Sequence, residues 1–314
     1  MSAVDAQALY AEIAASKKYH YICEETLRRV CGEEAPKYRS AREAVKAAKA
    51  RLHRISGAFI EERDLRQAQV LFAQSDKPID AETARTLLRL HASSLERLPF
   101  LVEMFGDILR HTAPCERVLD IACGFNPLVL ALLPDNGIAH YRATDIHTGC
   151  VELVNGFFAA HGISGEAVAG DILHTVPEAP ADVALLFKIL PLLEQQRKGS
   201  ALRVASALRA RCLAVSFPTR SLSGRQVGMY TTYQRFMEET FFTEPAGYRC
   251  VLEKEYANEL LFVVAREGGG VRAGRGVCEG LSIALRHVFS ILNFEYMLYW
   301  GLKGVQPCVS IQSP

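Results

Sequence analysis

Three aspartates, Asp120, Asp145 and Asp171, stand at the ends of short β-branched or apolar runs in the middle of the chain, 25 and 26 residues apart. Runs of this kind that alternate with helical stretches predict parallel strands joined by helical crossovers. Ligands bind beyond the carboxyl ends of such strands, so the three carboxylates are expected at one site. A tight turn containing Gly124 follows the first strand. This spacing favours a nucleoside cofactor, with one acid accepting the ribose hydroxyls and another meeting the adenine amino group.

Known nucleotide-binding motifs separate the candidate cofactors. The dinucleotide fingerprint G-x-G-x-x-G is absent because Gly124 stands alone in its turn, and the P-loop pattern is absent as well. This favours S-adenosylmethionine over NAD and ATP. For any single aspartate the simpler alternative is a helix N-cap, since a carboxylate can accept from the free amides at a helix start. Three aspartates in register with a glycine turn favour the cofactor site.

Signals for other chemistries are weak. The nine cysteines form no Cys-x-x-Cys pair and the nine histidines form no His-x-x-x-His pair, so neither a metal site nor a disulfide framework is predicted. The cysteines are expected to be reduced thiols. His91, beside Ala92 and Ser93, is the histidine that we single out, although a lone histidine is more often structural.

The segment before the strands is rich in Ala, Leu, Glu, Lys and Arg, and its periodicity predicts helices. The clearest helix covers residues 41–55. Ser40 and Glu43 have capping-box spacing at its start. One apolar stripe of this helix is predicted to face a core, and its members are Val45, Ala48, Leu52 and Ile55.

A second face of this helix is basic. Arg42, Lys46 and Lys49 fall on one arc of its surface, and residues 37–54 hold seven Lys or Arg against one acid. A solvated face is the ordinary explanation of such charges, but clustered positive charge is also what phosphate contacts require. Both interpretations stay open at this point. Further basic residues nearby in sequence are Lys17, Lys18, Arg28 and Arg29.

By composition and hydrophobic pattern, the 314 residues divide into a predicted helical region over 1–110, a region of alternating strands and helices over 111–266, and a tail over 267–314. The tail has a glycine-rich start and an apolar segment over 281–302, and its role is unknown. With 36 Lys and Arg against 35 Asp and Glu, any nucleic-acid surface must be local. Neither a signal peptide nor a membrane span is predicted, and a cytoplasmic protein is expected.

Residues 118–127, which read Val-Leu-Asp-Ile-Ala-Cys-Gly-Phe-Asn-Pro, resemble the cofactor motif of the aminoglycoside-resistance 16S rRNA (guanine(1405)-N7)-methyltransferases of the Arm/FmrO type. The likeness runs in uninterrupted order over about residues 7–266, and the tail after it does not align. Other matching strings are Ala-Ser-Lys-Lys-Tyr at 15–19, Leu-His-Ala-Ser at 90–93, Asp-Ile-His at 145–147, Phe-Lys-Ile-Leu-Pro-Leu-Leu-Glu at 187–194 and Ser-Phe-Pro-Thr-Arg-Ser-Leu at 216–222.

This resemblance implies an α/β fold, namely a Rossmann-like S-adenosylmethionine-dependent methyltransferase sheet preceded by an N-terminal helical rRNA-binding domain. It implies methyl transfer from S-adenosylmethionine to N7 of guanine 1405 of 16S rRNA in the 30S subunit. The expected phenotype is resistance to 4,6-disubstituted deoxystreptamines such as kanamycin and gentamicin, and a monomer without membrane contact is expected. Guanine N7 carries a lone pair and no proton, so the transfer needs no general base.

The resemblance also places the site residues. Arg97 is expected to meet the methionine carboxylate, Asp145 the ribose, and Asp171 with Ile172 the adenine. The full cofactor set is Phe59, His91, Ala92, Ser93, Arg97, Ala122, Gly124, Asp145, Asp171, Ile172, Phe187 and Gln196. The residues that we expect to contact rRNA are the basic residues described above, together with Arg225 on the loop after 216–222, namely Lys17, Lys18, Arg42, Lys46, Lys49 and Arg225.

The target base lies in structured rRNA, so we expect it to be flipped out of its stack. Lys188 and Arg220 are the candidates to hold it. A solvated lysine at the end of a strand and an arginine that orders its own loop are the simpler alternatives for these two residues.

Three other functions stay open from the sequence. A methyltransferase that acts on a neighbouring decoding-site base, such as N1 of an adenine, would share these motifs. A non-catalytic rRNA-binding factor would keep the fold without binding the cofactor, although the strand-end acids argue against it. A small-molecule methyltransferase would act without ribosomes, and the basic helix argues against that.

Overall fold

The first part of the chain folds as helices, as its periodicity predicts. The structure, a computed structural model, describes residues 4–56, 59–219 and 229–267. Asp5 and Asp80 accept from free amides at the starts of two of the helices, as expected of N-cap residues. The helices are α1 (Ala6–Ala14), α2 (Glu24–Glu34), α3 (Ala41–Ser56), α4 (Glu62–Gln74), α5 (Ala81–Leu88), α6 (Ala92–Arg97) and α7 (Leu101–Thr112).

The rest of the described chain forms a sheet with helices packed against it. Its strands are β1 (Arg117–Ile121), β2 (His140–Asp145), β3 (Gly165–Ala169), β4 (Ala181–Phe187), β5 (Ala210–Pro218), β6 (Tyr248–Glu255) and β7 (Glu259–Arg266). Its helices are α8 (Thr148–Ala160), α9 (Leu190–Gln196), α10 (Ser200–Ala207) and α11 (Met229–Thr240).

The seven strands lie in the order β3-β2-β1-β4-β5-β7-β6. Strands β1 to β5 pair in parallel, and β7 pairs antiparallel with both β5 and β6. Strands β6 and β7 therefore form an antiparallel hairpin at the edge of the sheet. The strand order reverses between β1 and β4, which is where an open α/β sheet forms a ligand crevice.

Two local features shape the strand ends near the crevice. The turn after β1 continues as a 3₁₀ helix, Asn126–Leu132, because it closes by tight bonds such as Leu128 N–H to the Phe125 carbonyl. The pairing of β3 with β2 ends where Ala169 lies opposite Asp145.

Each face of the sheet buries its own core, because alternate side chains of a strand point to opposite faces. In β4, Val183 belongs to the core that includes side chains of α4, α5, α7 and α8, whereas Ala184 belongs to the core of α9, α10 and α11. A third core joins α1, α2 and α3. The helical region ends with α7 at Thr112 and β1 begins at Arg117, while α4, α5 and α7 pack on the sheet. Among the described residues, no helix has the length and apolar character needed to cross a membrane.

Candidate active site

The carboxyl ends of the central strands open onto a cavity whose empty volume, mouth included, is about 1050 Å³. Asp120, Asp145 and Asp171 all line it. The helical region supplies part of its wall, through residues such as Thr26 and Ser93. The three strand-end acids are therefore at one site, as the sequence predicts.

Asp145, at the end of β2, is hydrogen-bonded to the turn that follows β1. Its carboxylate accepts from the Gly124 N–H and from the His147 N–H, each at 2.8 Å. Gly124 has a φ of +50°, and a Cβ there would lie 2.6 Å from the His91 ring, so only glycine fits. Burial raises the pKa of Asp145 above its ordinary value. These contacts orient the carboxylate and are not those of a helix N-cap.

His91 lies buried at the start of α6. Its ring stacks 6.3 Å from Phe59 and lies 5.5 Å from Phe125, both measured between ring centroids. Burial, together with the charges of Arg97 and His147, lowers the pKa of His91 to about 3. The imidazole is therefore neutral near pH 7.

Asp120 lies within β1 and is only 1% exposed. Its carboxylate accepts from the Asn126 amide at 2.8 Å and from the Tyr141 hydroxyl at 2.7 Å. Burial raises the pKa of Asp120 to about 6. Asp120 thus holds the 3₁₀ turn and β2 together at the floor of the cavity.

Asp171 is bound by the helical region. Its carboxylate accepts from the Thr26 hydroxyl at 2.9 Å and from Arg29 Nε at 2.6 Å. The same carboxylate accepts from the Leu173 N–H. The sequence groups Arg29 with the basic residues near the helix over 41–55, but in the structure its side chain is mostly buried and lines the cavity.

Arg97 is held by a glutamate that the sequence does not single out. Its Nε and Nη2 atoms donate to Glu259 at 3.0 and 2.9 Å, and both side chains are almost fully buried. The guanidinium also lies 4.5 Å from the centroid of the Phe187 ring. Burial by itself would raise the pKa of Glu259, but Arg97, Lys188 and the Ser216 hydroxyl outweigh burial and lower it.

Lys188 follows β4 with a φ of +57°, a left-handed conformation that is uncommon for lysine. Its ammonium group lies 2.7 Å from Glu96 and 3.2 Å from Glu259. The side chain is 11% exposed and lines the cavity. The alternative of a solvated lysine at the end of a strand is therefore wrong, because this cation is enclosed between two carboxylates.

The basic face of α3 is exposed at Arg42 and Lys46 and half-buried at Lys49. The exposed residues Lys17 and Lys18 join this face, since the hydroxyl of Tyr19, the next residue, donates to the Lys49 carbonyl at 3.1 Å. We call Lys17, Lys18, Arg42, Lys46 and Lys49 the basic surface. Arg51 does not contribute to it, because it is buried in ion pairs with Glu33 and Glu34.

A family model of ribosomal RNA methyltransferases, FmrO, matches residues 15–263. The chain belongs to this family. A 16S rRNA (guanine(1405)-N(7))-methyltransferase of Serratia marcescens is 37% identical over 256 residues, which are 82% of this chain and 96% of that protein. The same enzyme of Micromonospora echinospora is 32% identical, over 81% of this chain and 94% of its own.

Solved structures agree with this assignment. The crystal structure of the 16S rRNA methyltransferase RmtF in complex with S-adenosyl-L-homocysteine has a TM-score of 0.75 and 38% identity, covering 83% of this chain and 98% of that one. The 16S rRNA methylase RmtB has a TM-score of 0.72 and 32% identity, covering 84% and 99%. The seven-stranded α/β fold expected of this methyltransferase family is confirmed.

The cavity brings together most of the residues that the sequence assigns to the cofactor. Ala92 and Gly124 do not line it themselves, but their N–H groups donate to Phe59 and Asp145, which do. Those that line it are Phe59, His91, Ser93, Arg97, Ala122, Asp145, Asp171, Ile172, Phe187 and Gln196.

Some predicted features of this methyltransferase are not part of the described chain. Arg220, Arg225 and the apolar segment 281–302 all lie outside the described residues. Within the described ranges, no cluster of His, Cys, Asp and Glu is arranged to hold a metal ion.

Proposed function

We propose that this methyltransferase transfers the methyl group of S-adenosylmethionine to N7 of guanine 1405 of 16S rRNA in the 30S subunit. The transfer confers resistance to 4,6-disubstituted deoxystreptamines such as kanamycin and gentamicin. The observation that carries the proposal is identity of 37% over nearly the whole of a relative with that activity. The Asp145 and Gly124 site and the basic surface support it.

The residues of the cavity fit this cofactor. Asp145 keeps acceptor capacity for ribose hydroxyls, because a carboxylate offers about four lone-pair sites and two are taken. Arg97 has a guanidinium suited to a methionine carboxylate. The aspartates of the lining favour the positive charge that the bound donor carries. S-adenosylmethionine would supply an electrophilic methyl group on a positively charged sulfur.

The protein's part in the transfer is orientation and exclusion of water. Guanine N7 has a lone pair and no proton to lose, so no side chain has to act as a base. The buried residues of the cavity, His91 among them, would align the reacting atoms and remove water from around the charged donor.

The basic surface would hold the rRNA. Its cations are spread over the Lys17–Tyr19 turn and α3, and none has an ion-pair partner among the described residues, so they are free to contact phosphates. Arg225 is proposed to add a further phosphate contact. Lys188 and Arg220 are proposed to hold the flipped guanine.

Each region of the chain has its own proposed role. Residues 1–110 bind rRNA and complete the cofactor site, residues 111–266 form the methyltransferase domain, and the role of 267–314 is unknown. The protein is proposed to act in the cytoplasm, because assembled 30S subunits are its substrate, and to act as a monomer.

Expression in a susceptible bacterium tests this function. We expect survival on kanamycin plus gentamicin, with a methyl group at N7 of guanine 1405 in the ribosomes of the surviving cells. Asp145→Ala, expressed at the same level, should leave the host susceptible. Methylation of a neighbouring base, or resistance without rRNA methylation, would contradict the assignment.

A further inference from the structure

We propose that Arg29 is a positioning residue of the cofactor site, supplied by a helix of the rRNA-binding region. The inference rests on the proposed function, because it concerns the end of the cavity that would hold the adenosine part of the cofactor. Arg29 lies on α2, 142 residues before Asp171, yet its Nε atom donates to Asp171 Oδ2 at 2.6 Å.

Arg29 binds a second residue of the cavity. Its Nη2 atom donates to the Gln196 side-chain oxygen at 2.9 Å. One guanidinium therefore joins the segment that follows β3, through Asp171, to α9, through Gln196. A planar fork with fixed donors is suited to holding two acceptors in one relative orientation.

Within the described part of the chain, the third nitrogen of Arg29 has no hydrogen-bond acceptor. Nη1 is buried, and it lies 3.8 Å from a Glu33 carboxylate oxygen, too far for a hydrogen bond. The side chain is 9% exposed and lines the cavity. A buried donor left without an acceptor is costly, so an acceptor on a ligand, such as a ring nitrogen of adenine, would relieve that cost.

Asp171 depends on this contact for its orientation. Its two carboxylate oxygens accept from Arg29, Thr26 and the Leu173 N–H, and its own N–H donates to Glu25 at 3.0 Å. Three of these partners, Glu25, Thr26 and Arg29, are on α2. Removal of Arg29 would leave a buried carboxylate without its cation, and the adenosine end of the site would lose its fixed shape.

Calorimetric titration with S-adenosylhomocysteine tests this role, using Arg29→Gln and Arg29→Lys. We expect Arg29→Gln to bind the ligand at least about tenfold more weakly than wild type, and Arg29→Lys to show a smaller loss because it keeps the charge but not the fork. Arg28→Gln is the matched control: Arg28 is the neighbour on α2, pairs with the exposed Glu24, and should leave the affinity unchanged.

A second ligand locates the effect. 5′-Methylthioadenosine lacks the amino-acid part, so Arg29→Gln should weaken its binding about as much as that of S-adenosylhomocysteine. Arg97→Lys should weaken only the latter. In steady-state assays on 30S subunits, Arg29→Gln should raise the KM for S-adenosylmethionine more than it lowers kcat.

The outcomes separate this inference from the proposed function. The affinity of wild type for S-adenosylhomocysteine reports on the function, whereas the ratio of variant to wild type reports on Arg29. If both Arg29 variants melt at a lower temperature but bind both ligands within about twofold of wild type, Arg29 only stabilises the fold and the inference is overturned. It is also overturned if methylthioadenosine binding is unaffected while S-adenosylhomocysteine binding is lost.

Discussion

The Asp145 carboxylate accepts a 2.8 Å hydrogen bond from the Gly124 N–H, which ties the end of β2 to the turn after β1. The two residues are 21 positions apart in the chain and are adjacent only because β1 and β2 pair in parallel, with Ile121 opposite Thr144. The strand pairing, the glycine turn and the acid therefore form one unit. Substitution of Asp145 tests whether this unit binds the cofactor.

Asp145→Ala should weaken binding of S-adenosylhomocysteine by at least about tenfold, because hydrogen bonds to a charged group contribute about 1.5–3 kcal/mol each. Affinity for 30S subunits should stay nearly unchanged. Calorimetry and a 30S binding assay measure the two effects. Glu166→Gln, which changes an exposed acid of β3, is the control. Unchanged cofactor affinity in Asp145→Ala would reject the ribose assignment.

Lys188→Met should slow methyl transfer to 30S subunits by about 10- to 100-fold, or about 1.4–2.8 kcal/mol. The reason is that the flipped base would lose the cation that Glu96 and Glu259 hold in place. Affinity for S-adenosylhomocysteine should change little. Single-turnover rates and calorimetry measure these quantities, with the exposed Lys198→Met as the control. A rate equal to that of wild type would remove Lys188 from the set of positioning residues.

The double charge reversal of Lys46 and Lys49 to Glu should lower 30S affinity and reduce its salt dependence. Each lost phosphate contact removes somewhat less than one from the slope of log affinity against log salt, so we expect a reduction of about 2. The matched control reverses Arg142, an exposed arginine of β2, and Arg209, an exposed arginine that directly precedes β5. Filter binding over a range of salt concentrations gives the slope. A slope identical to that of wild type argues against this surface as the rRNA contact.

His91 should make stability depend on pH. Its pKa is about 3 in the folded protein, through burial and the charges of Arg97 and His147, and about 6.5 in an unfolded chain. The unfolded state therefore takes up the proton first as the pH falls, and the stability due to neutral His91 is complete above about 6.5 and is lost below it.

We expect the unfolding free energy of wild type, relative to His91→Asn, to fall by about 2–3 kcal/mol between pH 7.5 and pH 4.5. Urea titrations of the ligand-free proteins measure this difference. His53→Asn, which changes an exposed residue of α3, is the control. A difference that does not vary with pH would show that His91 has the same pKa in the folded and unfolded states, and would contradict the lowered pKa of the buried ring.

Much of the sheet could be predicted from the sequence, because buried parallel strands appear as short apolar runs that end in the residues of the site. Asp120, Asp145 and Asp171 carry that signal. The hydrogen bonds around these acids could not be predicted in the same way. Asp120 accepts from Tyr141, and Asp171 accepts from Thr26 and Arg29. These partners of Asp171 are more than 140 residues away in the chain, and such contacts depend on how the elements pack, which sequence periodicity does not show.

Arg29 and Glu259 show why the set of site residues predicted from the sequence was incomplete. Arg29 looks like one more cation of a basic region, and only its burial against Asp171 shows otherwise. Glu259 begins an apolar strand, and that position is its one sequence signal. The basic face of α3 was easier to predict, because helical periodicity fixes which residues share a face.

The central claim is that the cavity holds the methyl donor while the basic surface presents one guanine of 16S rRNA to it. Purified protein incubated with 30S subunits and radioactive S-adenosylmethionine tests this most directly, with the labelled nucleotide then mapped by mass spectrometry. The account predicts about one methyl group per subunit, at N7 of guanine 1405. Unlabelled 30S subunits, or label at any other position, would contradict it.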